Sequence, residues 1–308
     1  TRHGHPDLQG LWTNTALTFL ARPPGVKNLV PTAAEAAMIE GGFRKMVGSL
    51  IDPVADPNAP APPVVKNVEN SDFLEMKMEL ARIRGEPRSS WIVEPADGQI
   101  PLTDVGRKAP RAFNRNTYEG PEARPLAERC LIGIGSPEGP PMMNTGFNGH
   151  YQIVQTKDHV AIHIEMNHDV RIVRLTDRSR PHEAVRPWMG DSVGWWEGDT
   201  LVVETTNFHP HQYVSSMTGG FSYSPKAKLV ERFTRTAKDE ILYEFTVEDP
   251  INFKSAWRGE MPFRPAKGPI YEYACHEGNY SLANALTGAR AEERAAAEAK
   301  LAEAKKAP

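Results

Sequence analysis

The 308-residue chain has only two cysteines, almost no net charge (−3 at pH 7) and no long apolar run. A charge this close to zero argues against nucleic-acid binding and against binding to an anionic membrane surface, because both usually need a basic surface. No apolar stretch approaches the about 20 residues that a membrane-spanning helix requires. We therefore expect no nucleic-acid partner and no transmembrane segment, and the oligomeric state stays open.

Several catalytic motifs are also missing. The chain contains no Gly-x-Ser-x-Gly nucleophile motif, no Gly-rich phosphate loop and no dinucleotide fingerprint. The spacing of His159, His163, Glu165 and His168 matches no cupin pattern, and His276-Glu277 lacks the second histidine of HExxH. We therefore predict no cofactor, with a bound metal as the alternative.

The chain begins at Thr1 without an initiator methionine. From this we predict that a signal peptide was removed and that the protein is periplasmic or secreted; the alternative is an arbitrary starting point of the sequence. In an oxidising compartment, Cys130 and Cys275 are expected to form a disulfide. Two buried free thiols are the alternative.

From residue 150 onward, apolar residues recur with period two, and turns follow about every ten residues. This pattern predicts a mainly β fold of about nine or ten antiparallel strands, as an up-and-down barrel or a sandwich. We predict one domain over residues 1–280: a first strand in 1–20, a helical and loop-rich insertion over 21–149, and the main antiparallel meander over 150–280. Helices are predicted over 32–48, over 71–84 and, exposed at the C-terminus, over 281–308.

Two short segments carry the residues expected for acid–base chemistry. His168-Asp169 followed by Arg171 offers an imidazole base, a carboxylate to orient it and a cation to stabilise developing negative charge. In the strand before it, His163 and Glu165 share one face, which borders either a polar cavity or solvent. An ordinary turn with a surface arginine is the alternative for the first segment.

The second segment is Cys275-His276-Glu277. If Cys275 is bonded to Cys130, then His276 and Glu277 lie on a rigid segment, as a preorganised site requires. The alternative is a disulfide-anchored loop with exposed polar side chains. The two segments can form one site only if His168 and His276 border a shared cavity, because proton transfer needs direct or single-water reach.

Further polar and aromatic residues are candidates for binding a ligand. Tryptophans in this region could form an aromatic wall, although a place in the barrel core is the alternative for them. The ligand-binding candidates are Tyr151, Trp188, Asp191, Trp195, Asn207 and Tyr271.

Some stretches resemble known proteins. Gly10-x-Trp12 resembles the first-strand motif of lipocalins, and residues 196–202 resemble a hairpin of fatty-acid-binding proteins. More broadly, the chain resembles a large, functionally uncharacterised family of exported bacterial proteins with a lipocalin-like barrel. The matching stretches are 6–12, 151–154, 168–171, 188–192, 196–207, 230–233, 247–250 and 271–280. The resemblance implies export and a barrel, and it supplies no mechanism.

These patterns favour an exported, cofactor-independent enzyme: a lyase, isomerase or hydrolase that acts on a small, partly apolar or aromatic molecule in a barrel cavity. The alternative is a lipocalin-like protein that binds a hydrophobic small molecule without catalysis. An enzyme predicts a histidine near a carboxylate with perturbed pKa values, whereas a binding protein predicts an apolar pocket with isolated polar groups. A structural envelope module, the third possibility, predicts no enclosed cavity.

Overall fold

The protein is described by a computed structural model, which describes residues 1, 3–50, 77–109, 118–133, 138–216 and 219–304. The first predicted helix is confirmed as α1 (Ala33–Leu50). Thr32 caps it, because the Thr32 hydroxyl accepts from the Glu35 N–H while the Glu35 carboxylate accepts from the Thr32 N–H. Of the helix predicted over 71–84, residues 71–76 lie outside the described residues, and residues 77–84 are not helical.

The rest of the described chain is mainly β-structure. A short helix, α2, spans Asp104–Lys108. The strands are β1 (Gly10–Thr13), β2 (Arg82–Ile83), β3 (Glu86–Pro87), β4 (Ile92–Glu94), β5 (His150–Gln155), β6 (His159–Ile164), β7 (Val170–Arg174), β8 (Asp191–Glu197), β9 (Thr200–Thr206), β10 (Tyr213–Ser216), β11 (Gly219–Ser222), β12 (Lys228–Ala237), β13 (Glu240–Glu248) and β14 (Trp257–Pro265).

Nine of these strands close into a barrel. Their order is β1-β5-β6-β7-β8-β9-β12-β13-β14, and β14 pairs back to β1. The closing strand β1 is hydrogen-bonded on both sides, with Trp12 opposite Tyr151 of β5 and Pro265 of β14. Strand β4 adds to β14 outside the ring, and two small hairpins, β2-β3 and β10-β11, stand apart from it.

The barrel is mixed, so the prediction of a purely antiparallel barrel is wrong in one place. Strands β7 and β8 are parallel, with Val173 opposite Ser192. Between them the chain runs through residues 175–190, where Pro181 and Pro187 interrupt any strand, and it returns in the direction of β7. Period-two alternation is the same for either strand direction, so the sequence pattern alone could not reveal the crossover.

The interior of the barrel is filled with side chains. On β6, every second residue, Val160, Ile162 and Ile164, is buried, in agreement with the predicted period-two recurrence of apolar residues. Large aromatic side chains, among them Tyr243 and Trp257, are also fully buried in this core. Burying apolar area at about 25 cal/mol per Å² is the main driving force for closing such a barrel.

The predicted C-terminal helix is confirmed as α3 (Ser281–Ala304), and it has no buried residue. Arg290 attaches it to the remainder of the protein, since its guanidinium donates to the backbone oxygens of Tyr118 and Glu119. Among the described residues, no helix combines the length and the apolar character needed to cross a membrane.

Candidate functional site

The predicted disulfide is confirmed, and it shapes one end of the barrel. Cys130 and Cys275 are bonded, with their Cα atoms 5.7 Å apart and a separation of 145 positions in sequence. The bond fastens the segment after β14 to the loop around Cys130. Asn279 adds to this attachment by donating to the Glu128 carbonyl oxygen over 3.1 Å. The segment therefore has a defined position although it contains no helix or strand.

His168 and His276 border the same cleft. The cleft has a volume of about 160 Å³, and both histidines are exposed to solvent. The lining residues are Cys130, Asn167, His168, Glu272, Tyr273, Ala274, Cys275, His276 and Glu277. The structure thus brings together the two segments from which the sequence predicted acid–base chemistry.

An unusual turn holds His168 at the mouth of the cleft. After β6 the chain makes a single 3-10 turn, Met166–His168, in which Asn167 (φ 56°) and His168 (φ 41°) adopt left-handed backbone conformations. Two such residues in succession are strained unless their surroundings hold them. The Tyr273 N–H donates to Nδ1 of His168 over 3.3 Å. A neutral His168 ring therefore carries its proton on Nε2, where it can donate a hydrogen bond.

Glu165 is fully buried beside the cleft rather than lining it. Its carboxylate lies 3.1 Å from Nδ1 of His150 and accepts from the Tyr271 N–H over 3.0 Å. Burial raises the pKa of Glu165, but the hydrogen bonds from His150 and Tyr271 outweigh it, so the pKa is lowered overall. Glu165 is thus an ionised anchor that ties the backbone of the segment after β14 to the barrel.

The sequence did not reveal a second buried carboxyl, Glu138. It is 0% exposed, and one of its oxygens accepts from the Gly133 N–H over 2.7 Å. Burial raises its pKa from 4.5 to about 8, and the negative charge of Asp169 adds to the increase. The pKa of Asp169 is also raised by burial, although His168 opposes this. Because Glu138 lies in a Gly/Pro-rich loop without periodicity, no pattern marked it.

Arg171 does not reach the cleft. Its side chain points into the barrel and pairs with Glu231, with 2.8 Å between Nη1 and Oε1. The guanidinium also donates to Ser192 and Thr205, and the Tyr243 hydroxyl donates to Glu231. This group of residues, which we name the core ion-pair network, is buried on five strands. The stabilising charge expected in the cleft from Arg171 therefore lies elsewhere.

His163 and Tyr151 also lie away from the cleft. His163 is on the outer wall of the barrel, opposite Gln152 and Val170 on the neighbouring strands. Tyr151 belongs to the core and is 0% exposed, with its ring edge-on to Phe263. Tyr271 contributes its backbone N–H near the cleft, while its side chain is 61% exposed.

The remaining ligand-binding candidates lie in or near the crossover through residues 175–190, which connects β7 to β8. Asp191 accepts from Arg174 and Arg180, so it fastens the crossover to the barrel wall. Asn207 donates to the carbonyl oxygens of His182 and Val185. Trp188 packs against His209 with 3.7 Å between ring centroids, and Trp195 Nε1 donates to Glu197. None of these side chains lines the cleft.

The raised pKa of Glu138 predicts how stability depends on pH. Between the unfolded pKa of 4.5 and the folded value of about 8, the folded protein keeps a proton that the unfolded chain has lost. Stability should therefore fall as pH rises through this window, by about 1.4 kcal/mol for each unit of pKa difference at most. We expect Glu138→Gln to remove this slope, so that the variant exceeds the wild type in stability at pH 9 and resembles it at pH 4.

Urea unfolding at a series of pH values measures this difference directly. The matched control is Glu272→Gln, a change to an exposed carboxylate of the same cleft. Parallel curves for the wild type and Glu138→Gln would contradict the prediction.

In the part of the chain that the structure describes, no group of three or more His, Cys, Asp or Glu residues is arranged to hold a metal ion. Comparison with known proteins adds no assignment. No family model matches the chain. None of the curated proteins matches it either.

Proposed function

We propose that the protein is an exported, cofactor-independent acid–base enzyme of a lipocalin-like type, with its site in the cleft between the His168 turn and the Cys275 segment. The observation that carries this proposal is that His168 and His276, 108 residues apart in sequence, border one cleft. Carboxyls with raised pKa values lie next to it, which is a frequent property of active sites. Export is supported by the disulfide, since disulfides persist in oxidising compartments.

The two histidines suit different roles. His168 accepts a backbone hydrogen bond at Nδ1, so its Nε2–H is a donor suited to polarising a substrate oxygen. His276 has an exposed imidazole on the segment held by the disulfide, and it suits the role of general base. For a substrate with a proton next to a carbonyl, His276 takes that proton, and the electron pair moves to the oxygen held by His168. If the proton returns to a different atom of the substrate, the result is isomerisation. If a leaving group departs from the carbon next to the one that lost the proton, the result is elimination.

The lining also limits the substrate. Among the described residues that line the cleft, Glu272 and Glu277 carry negative charge, and none is a lysine or an arginine. Anionic substrates are therefore disfavoured by like charge. Tyr273, Ala274 and the disulfide supply apolar surface, and a cleft of about 160 Å³ suits only a small molecule. We therefore infer a small, uncharged and partly apolar or aromatic carbonyl compound.

Proton exchange offers a test that does not require the natural substrate. We expect the protein in D2O to accelerate deuterium incorporation next to the carbonyl of some compounds in a panel of small ketones and aldehydes, followed by NMR. His276→Ala should slow this exchange about 100-fold or more, because a positioned general base contributes about 10²–10⁴. His168→Ala should also slow it.

The control is His159→Ala, which removes an exposed histidine of β6 that does not line the cleft. This variant should exchange at the wild-type rate. If no compound exchanges faster than in buffer, or if the two cleft variants match the wild type, the proposed chemistry is excluded.

A non-catalytic binding protein is the second candidate. The observation that favours it is that, among the described residues, no side chain hydrogen-bonds to the His276 imidazole and so none orients it as a base. In this case, a compound from the same panel should bind in the cleft and shift the NMR signals of His168 and His276 without any exchange of its protons.

A further inference from the structure

Glu138 is packed against the turn that carries His168. Gly133 lies between them: a Cβ atom added to Gly133 would lie 2.1 Å from Met166 Sδ and 3.1 Å from Glu138 Oε1. A side chain at position 133 would force Met166 to shift, so the Glu138 loop and the Met166–His168 turn are in close contact at this point. The Gly133 N–H also donates to Glu138 Oε2, which fixes the orientation of the carboxyl group.

Unpaired buried polar atoms mark the contact between Glu138 and the turn. Glu138 Oε1 and both side-chain amide atoms of Asn167 are buried and have no hydrogen bond of ordinary geometry to any described residue. The Asn167 amide nevertheless lies close enough to act on the Glu138 carboxyl. Leaving buried polar atoms unpaired is unfavourable, so a hydrogen bond between the Glu138 carboxyl and the Asn167 amide is favoured.

The charges around Glu138 favour its neutral form. Burial and the negative charge of Asp169 raise the pKa of Glu138. They outweigh the opposing hydrogen bonds from the Gly133 N–H and the Asn167 side chain, and no cationic side chain among the described residues contributes. The phenol groups of Tyr151 and Tyr273 face it as well, and the charge of Glu138 acts on both. A neutral carboxylic acid has one O–H donor, and the Asn167 amide oxygen is an acceptor without another partner.

We propose that Glu138 is a positioning residue: its buried, neutral carboxyl supports Asn167 and thereby holds the left-handed turn that places His168 in the cleft. The proposal rests on the proposed function only in taking this cleft as the site. It gives a physical reason for the two strained residues, because left-handed conformations outside glycine persist only where the surroundings enforce them. Ionisation of Glu138 removes the O–H donor and sets a second negative charge beside Asp169, so the turn loosens at high pH.

The tautomer of the His168 imidazole shows directly whether the turn holds the ring in place. In the full chain, labelled with 15N at histidine, two-bond proton–nitrogen spectra distinguish the Nδ1–H and Nε2–H tautomers. We expect His168 in the wild type to be mainly the Nε2–H tautomer at pH 7.5 and to move toward a mixture by pH 9.5. Glu138→Gln, which is permanently neutral, should keep the Nε2–H tautomer across the whole range, whereas Glu138→Leu should give the mixture at every pH.

If Glu138 only stabilised the fold, replacing it would lower stability but would not change the His168 tautomer in this way. Rescue of the tautomer by glutamine, and its change with pH in the wild type, therefore distinguish a positioning role from a purely structural one. His159 in the same spectra is the internal control and should not respond to either variant. The proposal is overturned if the His168 tautomer in the wild type does not change up to pH 9.5, or if Glu138→Leu leaves it as in the wild type. Failure of the proposed function appears separately, as absence of proton exchange while the His168 signals behave as expected.

Discussion

Replacing Arg171 with methionine is expected to lower the free energy of unfolding by about 3–5 kcal/mol, because it leaves Glu231 buried without its partner charge. Arg171 and Glu231 are 3% and 0% exposed, so water cannot take over the role of the lost guanidinium. Ser192 and Thr205 remain hydrogen-bonded to each other in this variant, so the group left without its partner is mainly the Glu231 carboxylate. Urea unfolding at neutral pH measures the effect.

Two further variants separate the buried charge from the loss of packing. The double variant Arg171→Met, Glu231→Leu should be more stable than Arg171→Met alone, because it buries no unpaired carboxylate. The control is Arg232→Met, which breaks an exposed ion pair with Glu197 on the outer wall and should cost about 1 kcal/mol or less. If Arg171→Met costs no more than Arg232→Met, the network does not stabilise the barrel as described.

The second large effect concerns the disulfide. Replacing Cys130 and Cys275 by serine is expected to lower the free energy of unfolding by about 4–5 kcal/mol, since the bond closes a loop of 145 residues. The cleft should open locally as well, because His276 and Glu277 are next to the lost attachment. Hydrogen exchange should therefore rise in residues 272–278, while amides of β12 and β13 should change only as far as global stability requires.

Wild-type protein treated with a thiol reductant is the control, and it should reproduce both effects. If stability falls while residues 272–278 stay protected, then the bonds from Glu165 and His168 to the backbone of this segment are sufficient to hold it. If neither stability nor protection changes, the bond does not support the cleft.

The sequence revealed the features that depend on local pattern or on simple chemistry. Alternation along the chain from residue 150 predicted the strands, a helix was predicted over 32–48 where α1 lies, and the presence of two cysteines in a protein expected to be exported predicted the disulfide. These features need only neighbours in sequence or a single covalent bond.

Other features depend on contacts that a pattern does not record. In β7 the apolar residues Val170 and Ile172 are 46% and 47% exposed, while Arg171 between them is buried. Alternation alone would have turned Arg171 outward. Its true direction depends on Glu231, which is 60 residues away in sequence. Glu138 is similar, because its raised pKa arises from burial against a turn some 30 residues further along the chain.

The single parallel pair of the barrel has a simple geometric origin. Around a closed ring, each antiparallel neighbour reverses the strand direction, and the number of reversals must be even to return to the starting direction. Eight of the nine pairings reverse it, so the ninth, between β7 and β8, must be parallel. A ten-strand ring could alternate throughout, whereas a nine-strand ring cannot. The parity of the strand number therefore requires a parallel pair somewhere in this ring, and the crossover through residues 175–190 provides it.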